Sequence, residues 1–138
     1  MFTAIAGQGA QRNGKKIVVS STQNIDRAFV SVCLPYGRDA RFDHAISVFD
    51  RIARQSYGVR KMGAAALDQA YLAQGYFDAV VFEGLGWWDV AAGMLLVQEA
   101  GGYVADYTHQ PVGPDYHSYL ATNGQKLYQK FQNLICQT

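Results

Sequence analysis

The chain is predicted to adopt an α/β fold, a layered mixed sheet flanked by helices and preceded by a β-hairpin. Three observations carry that prediction. Short runs rich in β-branched and aromatic residues alternate with segments of helical period, the pattern of strands joined by helical crossovers. An Asn13-Gly14 pair separates the first two strand-like runs, and both residues tolerate the positive φ that a two-residue hairpin turn needs. Finally, about half of the 138 residues are apolar, enough to close a core in a single domain spanning residues 1–138.

In chain order, residues 2–6 and 16–20 are short strands that form the opening hairpin. Gly7 and Gly9 stand in the loop between them, but Arg12 occupies the third-glycine position of a dinucleotide loop and a strand follows, so that motif is set aside. Residues 28–34 are mostly apolar and stop at Pro35-Tyr36-Gly37, as a buried strand does. From Asp43 to Gln55, Ala45, Ile46, Val48, Phe49, Ile52 and Ala53 repeat with helical period while Asp50, Arg51 and Arg54 lie outside. Residues 59–62 form a short strand or link. A helix over 64–74 then opens after Gly63 and closes at Gly75. Residues 76–82 read as a strand.

Asp89 introduces the most apolar helix of the chain, residues 90–100, which should be buried on nearly every side with Gln98 and Glu99 facing water. Gly101-Gly102 ends it. Residues 103–107 are a short strand, 108–116 a Pro/Gly loop, 119–122 a last strand, and 124–136 a terminal helix with Leu127, Phe131, Leu134 and Ile135 on one face.

Composition excludes several classes of partner. The formal net charge is +1 and no run of Lys or Arg occurs, which argues against nucleic acid and anionic membranes. No stretch approaches the roughly 20 apolar residues of a membrane span. Cys33 and Cys136 are far apart and outside any C-x-x-C spacing, so neither a disulfide framework nor a zinc knuckle is indicated, and a reducing, cytoplasmic setting is expected.

Candidate chemistry gathers around Asp89. A carboxylate at the start of a helix just after a strand stands where α/β proteins place ligands, although such an aspartate more often caps free N–H groups. Glu83 ends the preceding strand, where it either converges with Asp89 or meets solvent. Gly63-Ala64-Ala65 opens a helix without bulky side chains, exposing N–H groups to a polar ligand or allowing close helix packing. His44 reads as a helix-surface residue and Trp87-Trp88 as core and pocket wall. His109, His117, Asp106 and Asp115 lack metal-site spacing. There is no Gly-x-Ser-x-Gly elbow for a serine hydrolase.

Trp88-Asp89-Val90-Ala91-Ala92-Gly93 followed by Glu99-Ala100-Gly101-Gly102 resembles a signature of the inositol monophosphatase family of magnesium-dependent sugar phosphatases. Gly9 to Gly14 with Val18-Val19-Ser20, the run from Arg60 to Asp68, and the run from Tyr71 to Ala79 follow in the family's order. The resemblance spans the whole chain but only the C-terminal half of the family, and so implies the C-terminal half of its αβαβα fold. The glutamate pair and Asp-rich loop that bind most of the magnesium in complete members do not occur here.

The resemblance implies that Asp89 is a magnesium ligand whose second oxygen approaches a substrate hydroxyl, and that Gly63, Ala64 and Ala65 contact the sugar or inositol ring. Two positions differ from the family. Ala64 stands where serine or threonine is usual, and the substrate-binding glutamate falls at Phe82, one residue before Glu83. The expected function is Mg2+-dependent hydrolysis of inositol monophosphate or a related phosphate ester by metal-activated water. This chain would supply the substrate side and one metal ligand, completed by an upstream half or by a second copy in a homodimer. The competing expectation is a catalytically incomplete binding or oligomerisation module of the same descent.

Overall fold

The computed structural model describes residues 1–137, one short of the 1–138 span read as a domain. The described chain runs β1 (Phe2–Ile5), β2 (Gly9–Arg12), β3 (Lys15–Ile17), a 3-10 turn (Ile25–Arg27), β4 (Phe29–Cys33), α1 (Ala40–Gln55), β5 (Gly58–Arg60), α2 (Ala65–Ala73), β6 (Ala79–Glu83), α3 (Trp87–Glu99), β7 (Tyr103–Ala105), β8 (Ser118–Thr122) and α4 (Gln125–Ile135). It is the mixed α/β architecture predicted. A five-stranded sheet has the order β5-β4-β6-β8-β7, with β4 parallel to β5 and β6, and β8 antiparallel to β6 and β7.

Alternation along β6 divides the core in two. Ala79 and Val81 join Val30, Val32, Ile52, Leu120 and Phe131 on the side covered by α1 and α4. Val80 and Phe82 join Leu72, Val90, Val97 and Tyr119 on the side of α2 and α3. Because both faces are covered, the central strands are mostly apolar and buried on both faces rather than alternating with polar residues toward solvent. On α1 the buried residues Ala45, Val48 and Ile52 recur every three to four positions, and Asp39 caps the helix by accepting from the N–H groups of Arg41 and Phe42.

The expected opening hairpin is instead a three-stranded antiparallel meander, β1-β2-β3. Its turn at Asn13-Gly14 has φ of 50° and 77°, as the sequence pair required. The middle strand, Gly9-Ala10-Gln11-Arg12, has no β-branched residue to announce it. It forms because Ala10, fully buried, packs beneath the meander, and because the Glu99 carboxylate accepts from the N–H groups of Gly7 and Gly9 at 2.8 Å each. Glu99 therefore fastens a turn instead of simply facing water.

Helix α3 begins three residues earlier than expected, at Trp87, and it is not buried on every side. Val90, Gly93 and Val97 form its buried stripe, Ala92 is exposed and Trp88 is 85% exposed, so Trp88 is not a core residue. The strand expected over 76–82 begins only at Ala79, because Asp78 is occupied as a cross-link. Its carboxylate accepts from the Phe29 N–H at 2.7 Å and from the Ser20 hydroxyl, and its carbonyl accepts from the Asn123 N–H. No helix among the described residues is long and apolar enough to cross a membrane.

Candidate functional site

The carboxyl ends of β4 and β6 open between the first turns of α2 and α3, the place where an open α/β sheet leaves a crevice. A cavity of about 530 Å3 lies there, lined by Leu34, Lys61, Gly63, Ala65, Leu85 and Asp89 among others. Gly63 has φ of 76°, a left-handed conformation that suits glycine and turns the chain sharply into α2. Ala64 precedes that helix without a side-chain cap, and the first intrahelical bond runs from the Asp68 N–H to the Ala64 carbonyl. The N–H groups at the mouth of α2 thus lack intrahelical partners, and the small side chains leave them open to a polar or anionic group. Lys61 is the cation on this wall.

Asp89 lies in the first turn of α3. One carboxylate oxygen, Oδ2, accepts from the Gly86 N–H at 3.0 Å, so the residue spans the helix start from within rather than capping it from outside. Its other oxygen has no hydrogen-bond donor among the described residues. Gln69 fixes the peptide behind it. The Gln69 amide donates to the Asp89 and Ala65 carbonyls at 3.1 and 3.0 Å and accepts from the Tyr119 hydroxyl at 2.7 Å. Gly93 makes room for this amide, because a Cβ there would stand 2.4 Å from the Gln69 Cδ.

Behind the cavity, Asp68 is fully buried, with Oδ2 accepting from the Cys33 thiol at 3.5 Å and Oδ1 without a partner. Burial raises its carboxyl above the ordinary range, partly offset by the neighbouring Ser31 hydroxyl and Cys33 thiol. Burial, reinforced by the charge of Asp68, pushes the Cys33 thiol up to about 12, so Cys33 is a neutral wall and not a nucleophile.

Glu83 lies in a neighbouring cavity of about 560 Å3, lined also by His44, Leu85, Tyr107, Tyr116 and His117. Strand alternation explains the separation, since Glu83 follows Ala79 and Val81 toward the α1 face, away from Phe82. Both Glu83 oxygens lie 3.1 Å from His44 Nδ1. The Tyr116 hydroxyl is buried without a partner, and the buried Tyr107 hydroxyl is directed at Glu83. Burial and then the charge of Glu83 raise Tyr107 well above its usual value, while burial, then Asp89 and Cys33, raise Tyr116 to about 12. Leu85 lines both cavities.

Of the residues singled out from sequence, Gly63, Ala64, Ala65 and Asp89 share one cavity and Glu83 lines the next. His44, Tyr107 and Tyr116 were not found as site residues by sequence reasoning, because they converge from α1 and the β7–β8 connection and no local spacing links them. Asp106 is consumed by its own turn, accepting from the Thr108 N–H and hydroxyl and the Gln110 N–H. No group of three or more His, Cys, Asp or Glu residues suited to a metal ion occurs among the described residues.

Comparison with known proteins yields a consistent set. The model of the inositol monophosphatase family matches residues 1–138. The chain is 44% identical over 110 residues to a protein of Pseudomonas aeruginosa named Nus factor SuhB, covering 78% of this chain and 40% of that one. It is 33% identical to an inositol-1-monophosphatase of Synechocystis over all 138 residues, which is 48% of that protein. The solved inositol monophosphatase from Anabaena superposes with a TM-score of 0.91 at 34% identity, over 97% of this chain and 54% of that one. The chain thus spans about half the length of the relatives it matches.

Proposed function

The chain belongs to the inositol monophosphatase family, and on that premise we propose that it forms the substrate-side half of a magnesium-dependent phosphomonoesterase site. The observation that carries this reading is the convergence of Asp89, Lys61 and the open mouth of α2 on one cavity. The substrate is a small phosphate ester, inositol monophosphate or a related sugar phosphate.

Asp89 fits one magnesium ion as a contributing ligand, because one of its oxygens has no donor among the described residues while Gly86 holds the other. Magnesium takes one or two carboxylates and completes its shell with water and substrate phosphate. When bound, one magnesium ion would lower the pKa of a water molecule and another would stabilise the leaving oxygen. The chain's own residues do the rest. The N–H groups at Ala65 and beyond receive a hydroxyl or phosphate oxygen, Lys61 balances the anionic charge, and Leu34 and Leu85 exclude water. The remaining metal ligands are supplied by further segments of the kind the longer relatives contain, or by a second copy of the chain. The two unpaired cysteines support a cytoplasmic setting.

Relatives named as Nus factors favour a second reading, a binding module without turnover. Phosphate release decides between them. Magnesium-dependent hydrolysis of inositol monophosphate, falling by about 10²-fold or more in Asp89→Asn, supports the phosphatase. Unchanged hydrolysis in that variant removes Asp89 from the site. No release by the chain, alone or joined to the amino-terminal half of a relative, supports the module.

A further inference from the structure

Gln69 is a fully buried side chain whose hydrogen bonds reach both walls of the Asp89 crevice. It stands one turn into α2. From there Nε2 donates back to the carbonyl of Ala65, the first residue of α2, and across to the carbonyl of Asp89 in the first turn of α3. Ala65 and Asp89 both line the cavity. The two carbonyls require the NH2 end of the amide, so Oε1 is left to face β8, where the fully buried Tyr119 hydroxyl donates to it at 2.7 Å. The Tyr119 ring is itself stacked on Phe82 of β6, with centroids 5.3 Å apart and planes at 17°. The amide therefore has one orientation, fixed from the sheet.

Packing alone does not account for these residues. The core on this side of the sheet is built from Leu72, Ala73, Val90 and Val97, and an apolar side chain of equal length would fill the place of Gln69. Replacing both members of a buried hydrogen-bonded pair by apolar groups of the same shape is nearly neutral, so stability does not demand an amide here. Gly93 points the same way. A glycine in a helix interior is less favourable than an alanine, yet a Cβ at this position would stand 2.4 Å from the Gln69 Cδ. Two choices that stability does not require thus meet at one amide, and what a fully satisfied buried amide adds is a unique geometry.

We propose that Gln69, oriented by Tyr119, is a positioning residue that ties Asp89 to the mouth of α2 and so sets the separation between the metal side and the substrate side of the cavity. The Gly86 N–H holds one carboxylate oxygen of Asp89, and Gln69 holds the carbonyl of the same residue from α2. Asp89 is pinned at two points, which gives its other oxygen one direction. The catalytic half of this statement rests on the phosphatase reading; the ordering half does not.

The test compares Gln69→Met with the double variant Gln69→Met, Tyr119→Phe. The single variant strands the Tyr119 hydroxyl and should lose stability in urea; the double variant makes both partners apolar and should regain most of that loss. Order at Asp89 should not return with it. Three-bond NMR couplings to the Asp89 carboxyl carbon, which report χ1 in the metal-free chain, are expected to show one rotamer in the parent and averaging in both variants. In the chain joined to the amino-terminal half of a relative, kcat for inositol monophosphate should fall about tenfold or more in both variants, with KM changed by less than about threefold. In an Asp89→Asn background the same changes should cost no further rate, because they act through Asp89. Should Gln69→Met fail to fold, Tyr119→Phe alone, which frees the amide to turn, is read by the same couplings. A single Asp89 rotamer in the double variant, averaging already present in the parent, or parental kcat in the double variant overturns the proposal and leaves Gln69 a packing residue. Averaging confined to the variants of a parent that hydrolyses no phosphate ester overturns the phosphatase reading instead and supports the ordering role.

Discussion

Substituting Gly93→Ala tests whether the start of α3 at Asp89 is held by packing against the neighbouring helix α2. The added Cβ would lie 2.4 to 2.6 Å from three atoms of the Gln69 amide. A glutamine end is flexible in general, but this one is fully buried and makes three hydrogen bonds, to Ala65, Asp89 and Tyr119. Displacing it strands the Tyr119 hydroxyl, also fully buried, and an unsatisfied buried group costs about 1–3 kcal/mol. Residual overpacking adds about 1 kcal/mol or more. The expected destabilisation is therefore about 2–4 kcal/mol, measured as a fall in the urea midpoint at unchanged slope. Adding Gln69→Ala should relieve the clash but leave the Tyr119 hydroxyl unpartnered, so the double variant should recover only part of the loss. A Gly93→Ala protein within about 0.5 kcal/mol of the parent would refute the argument that the Gln69 amide is fixed.

Three further outcomes follow from single groups. Hydrogen bonds from Gly7 and Gly9 lower the Glu99 carboxyl below its usual 4.5, so this stabilisation is present above 4.5 and is lost as pH falls through the lower folded value. Thermal melts of the parent and Glu99→Gln should differ at pH 7 and converge in acid; a constant gap refutes the assignment. Asp68 has the opposite sign, since its folded carboxyl is raised by burial and ionisation above that value opposes folding. Asp68→Asn should raise the melting temperature at pH 8 and lose this advantage as pH falls toward the ordinary carboxylate range; a lower melting temperature at pH 8 would show Asp68 to be a needed anion. Cys33, buried and shifted to about 12, should resist a thiol reagent at pH 8 while exposed Cys136 reacts; two equally fast thiols in the folded protein would contradict its burial.

The parts of this molecule legible in its sequence are those where one physical requirement dominates locally. The Asn13-Gly14 turn, the amphipathic α1 and the apolar β4 and β6 each follow from a spacing of residues within one element. Two of the expectations that differ from the structure concern a choice made by a distant partner. Strand β2 exists because Glu99, some ninety positions away, receives its turn. The start of β6 is delayed because Asp78 binds Ser20 and Phe29. The same division runs through the site. Asp89 and the small residues from Gly63 to Ala65 were legible because a helix start imposes its own residue types, and the structure gathers them in one cavity. Glu83 carried only the signal of a strand end. The direction of its carboxylate was fixed by the parity of β6, in which Phe82 faces α3 and the next residue faces α1. A one-residue shift along β6 therefore amounts to a change of face. It is this change that brings Glu83 against His44, Tyr107 and Tyr116 rather than Asp89, and it makes the second cavity a distinct chemical environment rather than an extension of the first.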